Sequence, residues 1–208
     1  MFETITATNL TLHDIETKFN LQFSEDEEFF REWLDDLPII NDLEIQGLDK
    51  LKADYLNNIK YQMLENTVKM VVLAPLLYLA DLYIPPFHIE SEKSVELVLE
   101  DEDKIVRGSI DILVLKEYFW VVAIEAKRSQ YSLEVGLPQL LFYMLTNLTS
   151  EVPTFGLLTN GSNFRFVKLM KGDNLQYSVS RIFDILNPGN DLHQVFQILK
   201  RLSQLTEN

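Results

Sequence analysis

Apolar residues change their spacing near the middle of the chain. In the first half they recur every three to four positions. Leu48, Leu51, Tyr55, Leu56 and Ile59, then Met63, Val68, Val71 and Val72, predict helical structure over roughly 48–83. Pro75 is expected to kink or divide that helix, and Pro85-Pro86 to end it. Upstream, Thr11-Leu-His-Asp14 opens a short helix. Ser24-Glu-Asp-Glu27 reads as another helix start, with Ser24 as N-cap and acids in the first turn. That helix carries Phe29, Phe30, Trp33 and Leu34 and stops before Pro38.

Farther on the pattern becomes that of strands. Ser94–Leu99 alternates weakly, as an edge strand does. Ile105–Leu115 and Phe119–Lys127 are rich in Ile, Val and Trp and apolar on both faces, which implies a sheet covered by helices on both sides. Ser132–Leu148 returns to helical spacing, with Pro138 tolerated near its start. Thr154–Thr159, the tight-turn pair Asn160-Gly161 and Asn163–Leu169 read as a hairpin. Leu175–Ser180 adds a last strand before a helix at Asp191–Leu205. This order predicts a single α/β domain, a three-layer α/β/α arrangement around a central mixed sheet. Residues 1–47 are expected to be an N-terminal helical extension and 48–208 the α/β core.

Composition narrows the function classes. The chain has 208 residues, 47% apolar and 24% charged, which suits a folded domain rather than a disordered one. The absence of cysteine excludes a disulfide frame, a thiolate metal site and a cysteine nucleophile, and is compatible with a reducing interior. No basic region followed by an apolar run opens the sequence, so no signal peptide is expected. The longest apolar stretch, Met70–Ala80, falls short of the ~20 residues that a bilayer span needs. A cytoplasmic protein without a membrane partner is the expectation.

The net charge of -14 opposes nucleic-acid binding at first sight. Its distribution changes that. Residues 1–103 carry a net of -16, concentrated at Glu25–Asp36 and Glu90–Asp103, whereas residues 104–208 carry +2. The acidic runs read as solvated surface. Binding to DNA by this chain alone is expected to be weak and strongly salt-dependent.

The candidate chemistry lies in the slightly basic half. Asp111 sits within one apolar strand, and the next strand ends in Glu125-Ala126-Lys127. Charged groups are costly in a core unless paired or bound to metal. A hairpin turning near Lys116-Glu117-Tyr118 sets Asp111 opposite Ala123, with Glu125 its diagonal neighbour and Lys127 on the same face. Two carboxylates so placed suit Mg²⁺ or Mn²⁺, which polarise a phosphate and acidify a bound water. Lys127 would orient that water or steady the developing charge. Arg107 and Ser109 precede Asp111 on its face without an assigned role, and Arg128, Arg165, Lys168 and Lys171 are candidate phosphate contacts. His13, His88 and His193 lack metal-ligand spacing, and no Gly-x-Ser-x-Gly elbow supports a hydrolase triad.

Ile110-Asp111 followed by Ile124-Glu125-Ala126-Lys127 resembles the motif of the PD-(D/E)XK nucleases, with isoleucine in place of the motif's proline. Gln139-Leu-Leu-Phe-Tyr143 resembles the Gln-x-x-x-Tyr motif that follows the lysine in the RecB-like and type I restriction branches. Glu65, in Leu64-Glu-Asn-Thr-Val-Lys69, resembles the acidic residue on that branch's first helix. Thr159-Asn-Gly161 with Phe164-Arg-Phe166 is also similar to the N-terminal nuclease part of type I restriction motor subunits. The resemblance covers roughly residues 60–170 and implies a restriction-endonuclease-like fold and a Mg²⁺-dependent nuclease acting on DNA. It implies Asp111, Glu125 and Glu65 as metal ligands, Lys127 as activator and Gln139 as positioning residue. It also suggests a homodimer or association with restriction-modification subunits. No phosphate loop or helicase lobe accompanies these residues. Two other expectations stand beside this one: an inactive nuclease-fold module for binding or assembly, and a structural α/β domain with an incidental salt cluster.

Overall fold

The structure, a computed structural model, describes residues 3–99, 103–116, 119–148 and 152–205. Strand β1 (Glu3–Thr6) and a short 3-10 turn lead into helix α1 (Leu12–Phe19) and strand β2 (Leu21–Phe23). Helices α2 (Asp42–Asn58), α3 (Glu65–Val68) and α4 (Ala74–Leu79) follow, the last two joined by a π-helical turn over Lys69–Leu73. After them come β3 (Phe87–Leu99), β4 (Lys104–Lys116), β5 (Phe119–Ala126) and α5 (Leu137–Thr146). The remaining elements are β6 (Thr154–Thr159), β7 (Asn163–Lys171), β8 (Leu175–Val179), β9 (Phe183–Asp184) and α6 (Asp191–Leu205).

The strands form one mixed sheet in the order β1-β4-β5-β6-β7-β8-β2, with β3 beside β4 and β9 beside β7. β1 with β4, β5 with β6, and β2 with β8 are parallel, and the other pairs are antiparallel. Side-chain alternation divides the strands between two apolar cores. In the β4–β5 hairpin, Ile112, Val114, Val122 and Ile124 enter one core, while Leu113, Leu115 and Ala123 enter the other. Leu48, Val68, Leu76 and Phe196 close the first core from α2, α3, α4 and α6. Ile15, Leu141 and Tyr143 close the second from α1 and α5. A mixed sheet with helices packed on both faces agrees with the α/β reading and is compatible with three layers.

Several local expectations need correction. Residues 3–47 supply more than helices, because β1 and β2 both join the sheet. The Thr11 start holds, closed by a capping box with Asp14. The helix expected after Ser24 does not form: residues 24–41 run as turns and extended chain. Ser24 instead donates its N–H to the Tyr177 carbonyl, prolonging β2. The carbonyl of Phe29 is taken by the Lys168 ammonium at 2.7 Å, which also pairs with Glu32. This bond satisfies the carbonyl without a helix, and tertiary context of this kind overrides local propensity.

The long helical stretch begins earlier than Leu48, where Asn41 and Glu44 form a capping box, and it breaks after Asn58. Pro75 stands at the start of α4, directly after the π-helical turn. Proline has no N–H to donate one turn back, and the wider turn accommodates that loss. The region 132–148 is split at Gly136 into a 3-10 turn and α5. The expected edge strand is real but longer, reaching back to Phe87. Glu117 and Tyr118 of the expected turn, and Glu100 to Glu102 of the second acidic run, lie outside the described residues.

Candidate active site at a break in the sheet

Strand β4 has β3 along one side for its whole length. On its other side it has two neighbours end to end: β1 against residues 104–107 and β5 against residues 112–116. Residues 108–111 therefore lack a strand partner on that side. A cleft of about 460 Å³ opens there, lined by Thr6, Thr8, Glu65, Arg107, Ser109, Asp111, Glu125, Lys127, Gln139 and Tyr143 among others. Clefts where strand neighbours change are a common setting for ligands in open α/β sheets.

The hairpin register differs from the expected one. Leu113, not Asp111, faces Ala123, and the register shifts between Val114 and Leu115. The tighter turn and this irregularity each move the pairing by one residue. Two such shifts restore the original face, because strand side chains alternate with a period of two. Asp111 and Glu125 consequently line the same cleft, closer to directly opposite than to diagonal.

Asp111 is fixed on both oxygens. Its Oδ2 accepts the Ala126 N–H at 2.8 Å, and its Oδ1 accepts Lys69 Nζ at 2.5 Å. Glu125 is only 2% exposed. Its Oε1 accepts Lys127 Nζ at 2.6 Å, whereas its Oε2 has no partner. Lys127 also donates to Gln139 Oε1 at 2.8 Å, and Gln139 Nε2 donates to the Tyr143 hydroxyl at 2.6 Å. Backbone pairing of Lys127 N–H with the Thr159 carbonyl anchors this row at the end of the parallel β5–β6 pair. Gln139 and Tyr143 share one face of α5, as their spacing of four predicts.

Burial, together with the Asp111 charge, pushes the Glu125 carboxyl up to about 8, and the Lys127 ammonium opposes this without cancelling it. Burial likewise raises the Tyr143 hydroxyl, with the nearby Glu125 charge adding to it. Burial works against the Lys69 ammonium, but its bond to Asp111 and the charges of Asp111 and Glu92 outweigh that and hold the amine above the usual lysine range.

Every residue expected in the site lines the cleft: Asp111, Glu125, Lys127, Gln139, Tyr143 and Glu65. Glu65 stands at the rim with a side chain 40% exposed. The four candidate phosphate contacts do not line it. Lys168 is buried against Glu32, and Arg165 bonds Glu134 and the Ser180 carbonyl. Lys69, Glu92 and Gly108 are participants that sequence reasoning passed over. Lys69 had a signal, since it follows Glu65 by four residues on one helical face. Gly108 is required by close approach. A Cβ there would stand 2.5 Å from Tyr143 Cε1 and 2.9 Å from the Ala7 Cβ. Gly108→Ala is expected to destabilise the fold by ~1–3 kcal/mol in urea unfolding, because Tyr143 or the 3-10 turn at Ala7 must shift. A change under ~0.5 kcal/mol would mean that Tyr143 yields freely.

Two carboxylates and an unpartnered Glu125 oxygen make a donor set that fits a hard divalent cation. Such ions are often held by one or two carboxylates, with water and phosphate completing the shell. Among the described residues no three His, Asp or Glu side chains gather closely enough to enclose a metal on their own. No helix among them is long and apolar enough to cross a membrane. No protein-family model and no curated protein matches the chain.

Proposed function

We propose that this chain is a Mg²⁺- or Mn²⁺-dependent nuclease of the restriction-endonuclease-like kind, hydrolysing phosphodiester bonds of DNA. The observation that carries the reading is the buried, unpartnered Oε2 of Glu125 in a cleft shared with Asp111 and Lys127. A carboxylate kept dry, close to a second acid and with one oxygen unpartnered is costly unless it holds a proton or a cation arrives. Bound between Asp111 and Glu125, such an ion would polarise the phosphate and acidify a water. Lys127 holds its ammonium between Glu125 and Gln139, where it steadies the negative charge that develops on phosphoryl oxygens. Gln139 fixes Lys127, Tyr143 fixes Gln139, and Glu65 assists from the rim. Likeness to the nuclease part of type I restriction motor subunits makes restriction-modification subunits the natural partners.

The purified protein is expected to cut plasmid or single-stranded DNA with Mg²⁺ or Mn²⁺ and to lose this activity in EDTA. No metal-dependent product from supercoiled, linear duplex or single-stranded DNA would overturn the proposal. One observation favours a second reading, a binding module without catalysis: the Lys69 ammonium already sits on Asp111. Metal titration separates the two.

A further inference from the structure

We propose that Lys69 is a built-in counter-ion of the cleft, which competes with a divalent cation for Asp111 and withdraws toward Glu92 when the cation binds. The inference rests on the metal-binding reading above and concerns how that site is controlled.

The Lys69 side chain is 14% exposed and has carboxylates from three separate elements around its ammonium. Asp111 Oδ1 of β4 lies at 2.5 Å, Glu92 Oε1 of β3 at 3.1 Å and Glu65 Oε1 of α3 at 3.6 Å. An ammonium ringed by hard oxygens occupies the electrostatic position of a metal ion, at half the charge of Mg²⁺. It also repels any divalent ion that approaches Asp111, since like charges a few ångströms apart are strongly unfavourable in a partly desolvated cleft.

Glu92 is directed to this place by the pairing of β3 with its neighbour. Pairing with β4 passes from Ser91↔Ile112 to Lys93↔Ile110 with no change of register, so Glu92 stands opposite Asp111, and its φ is 54°. Facing residues of an antiparallel pair send their side chains to the same side of the sheet, which sets Glu92 beside Asp111. Here the carboxylate turns to Lys69 and lies within 3.5 Å of the Ser109 hydroxyl. Glu92 is 67% exposed where Asp111 is 9% exposed, so an ammonium leaving Asp111 finds a charged acceptor next to solvent. The buried acid is released to the cation, and the exposed acid keeps the lysine.

The experiment is calorimetric titration of MnCl₂ into the full chain at one pH and ionic strength, for wild type, Lys69→Met and Glu92→Gln. Lys69→Met is expected to bind Mn²⁺ at least ~10-fold more tightly than wild type, because a competing charge at contact distance is gone. Glu92→Gln is expected to bind several-fold more weakly, because the lysine has lost its alternative acceptor. Equal or weaker affinity in Lys69→Met, with wild type binding Mn²⁺, overturns the inference and leaves the metal site standing. Binding by neither protein removes the metal-dependent reading and the inference together. Binding by Lys69→Met alone upholds the competition but moves the natural chain from hydrolase to binding module. Should Lys69→Met fail to fold by circular dichroism, Glu92→Gln decides, since unchanged affinity there overturns the inference.

Discussion

Lys127→Ala is expected to slow metal-dependent DNA cleavage by ~10²–10³-fold while leaving the fold intact, the scale seen when one preorganised stabiliser of transition-state charge is removed. The stem of Lys127 passes close to Gly136, where an added Cβ would lie 3.1 Å from Lys127 Cε, so the side chain occupies a fitted track. Its ammonium joins Glu125 Oε1 to Gln139 Oε1. Truncation removes the ammonium between Glu125 and Gln139, strips Glu125 of its counter-charge, and frees Gln139 to rotate about its remaining bond to Tyr143. Lys127→Arg keeps the charge, but its planar fork does not reproduce a point donor between two oxygens, and only partial activity is expected. Single-turnover rates on a plasmid substrate measure both. Equal rates for wild type and Lys127→Ala remove Lys127 from the mechanism.

Glu125→Gln is expected to stabilise the metal-free protein by ~2–4 kcal/mol at pH 9 and by almost nothing near pH 5. The folded carboxyl keeps its proton up to about pH 8, whereas the unfolded one releases it near the ordinary 4.5. Between those values the folded state binds more protons than the unfolded state, so the Glu125 contribution to stability falls as pH rises through this window. Glutamine does not ionise and escapes the loss. Its amide oxygen still accepts from Lys127, so the ammonium keeps a partner. Burial sets most of the effect, Asp111 and then Glu65 raise the carboxyl further, and Lys127 lowers it. Urea unfolding of both proteins at pH 5, 7 and 9 without metal checks the prediction, and a constant gap across that range would sink it. A stabilising substitution at this position would mark Glu125 as held for function at the expense of stability.

The strands and the candidate row of site residues were legible in the sequence because burial on both faces leaves a continuous apolar run, against which Asp111 and Glu125 stand out. The register was legible only in its parity. Pairing partners depend on a turn and an irregularity at Val114 that composition does not encode, yet the face survived two shifts that compensate. The failed helix after Ser24 shows the opposite case. Its local signals were sound, but Lys168, distant in sequence, took the Phe29 carbonyl, and tertiary bonding outweighed propensity. β1 and β2 were hidden because such short strands carry little pattern of their own. Lys69 was in plain view beside Glu65, but its meaning depended on the β3–β4 register that sets Glu92 opposite Asp111, and nothing in the local spacing announces that pairing.

The break along β4 is served from both faces of the sheet. Glu65 and Lys69 reach it from the helical run packed on one core, and Gln139 and Tyr143 reach it from the helix packed on the other. Neither layer alone owns a working set of groups. Were the chain the nuclease proposed above, a half-assembled copy would lack part of the set, and cleavage would arise only with the finished molecule.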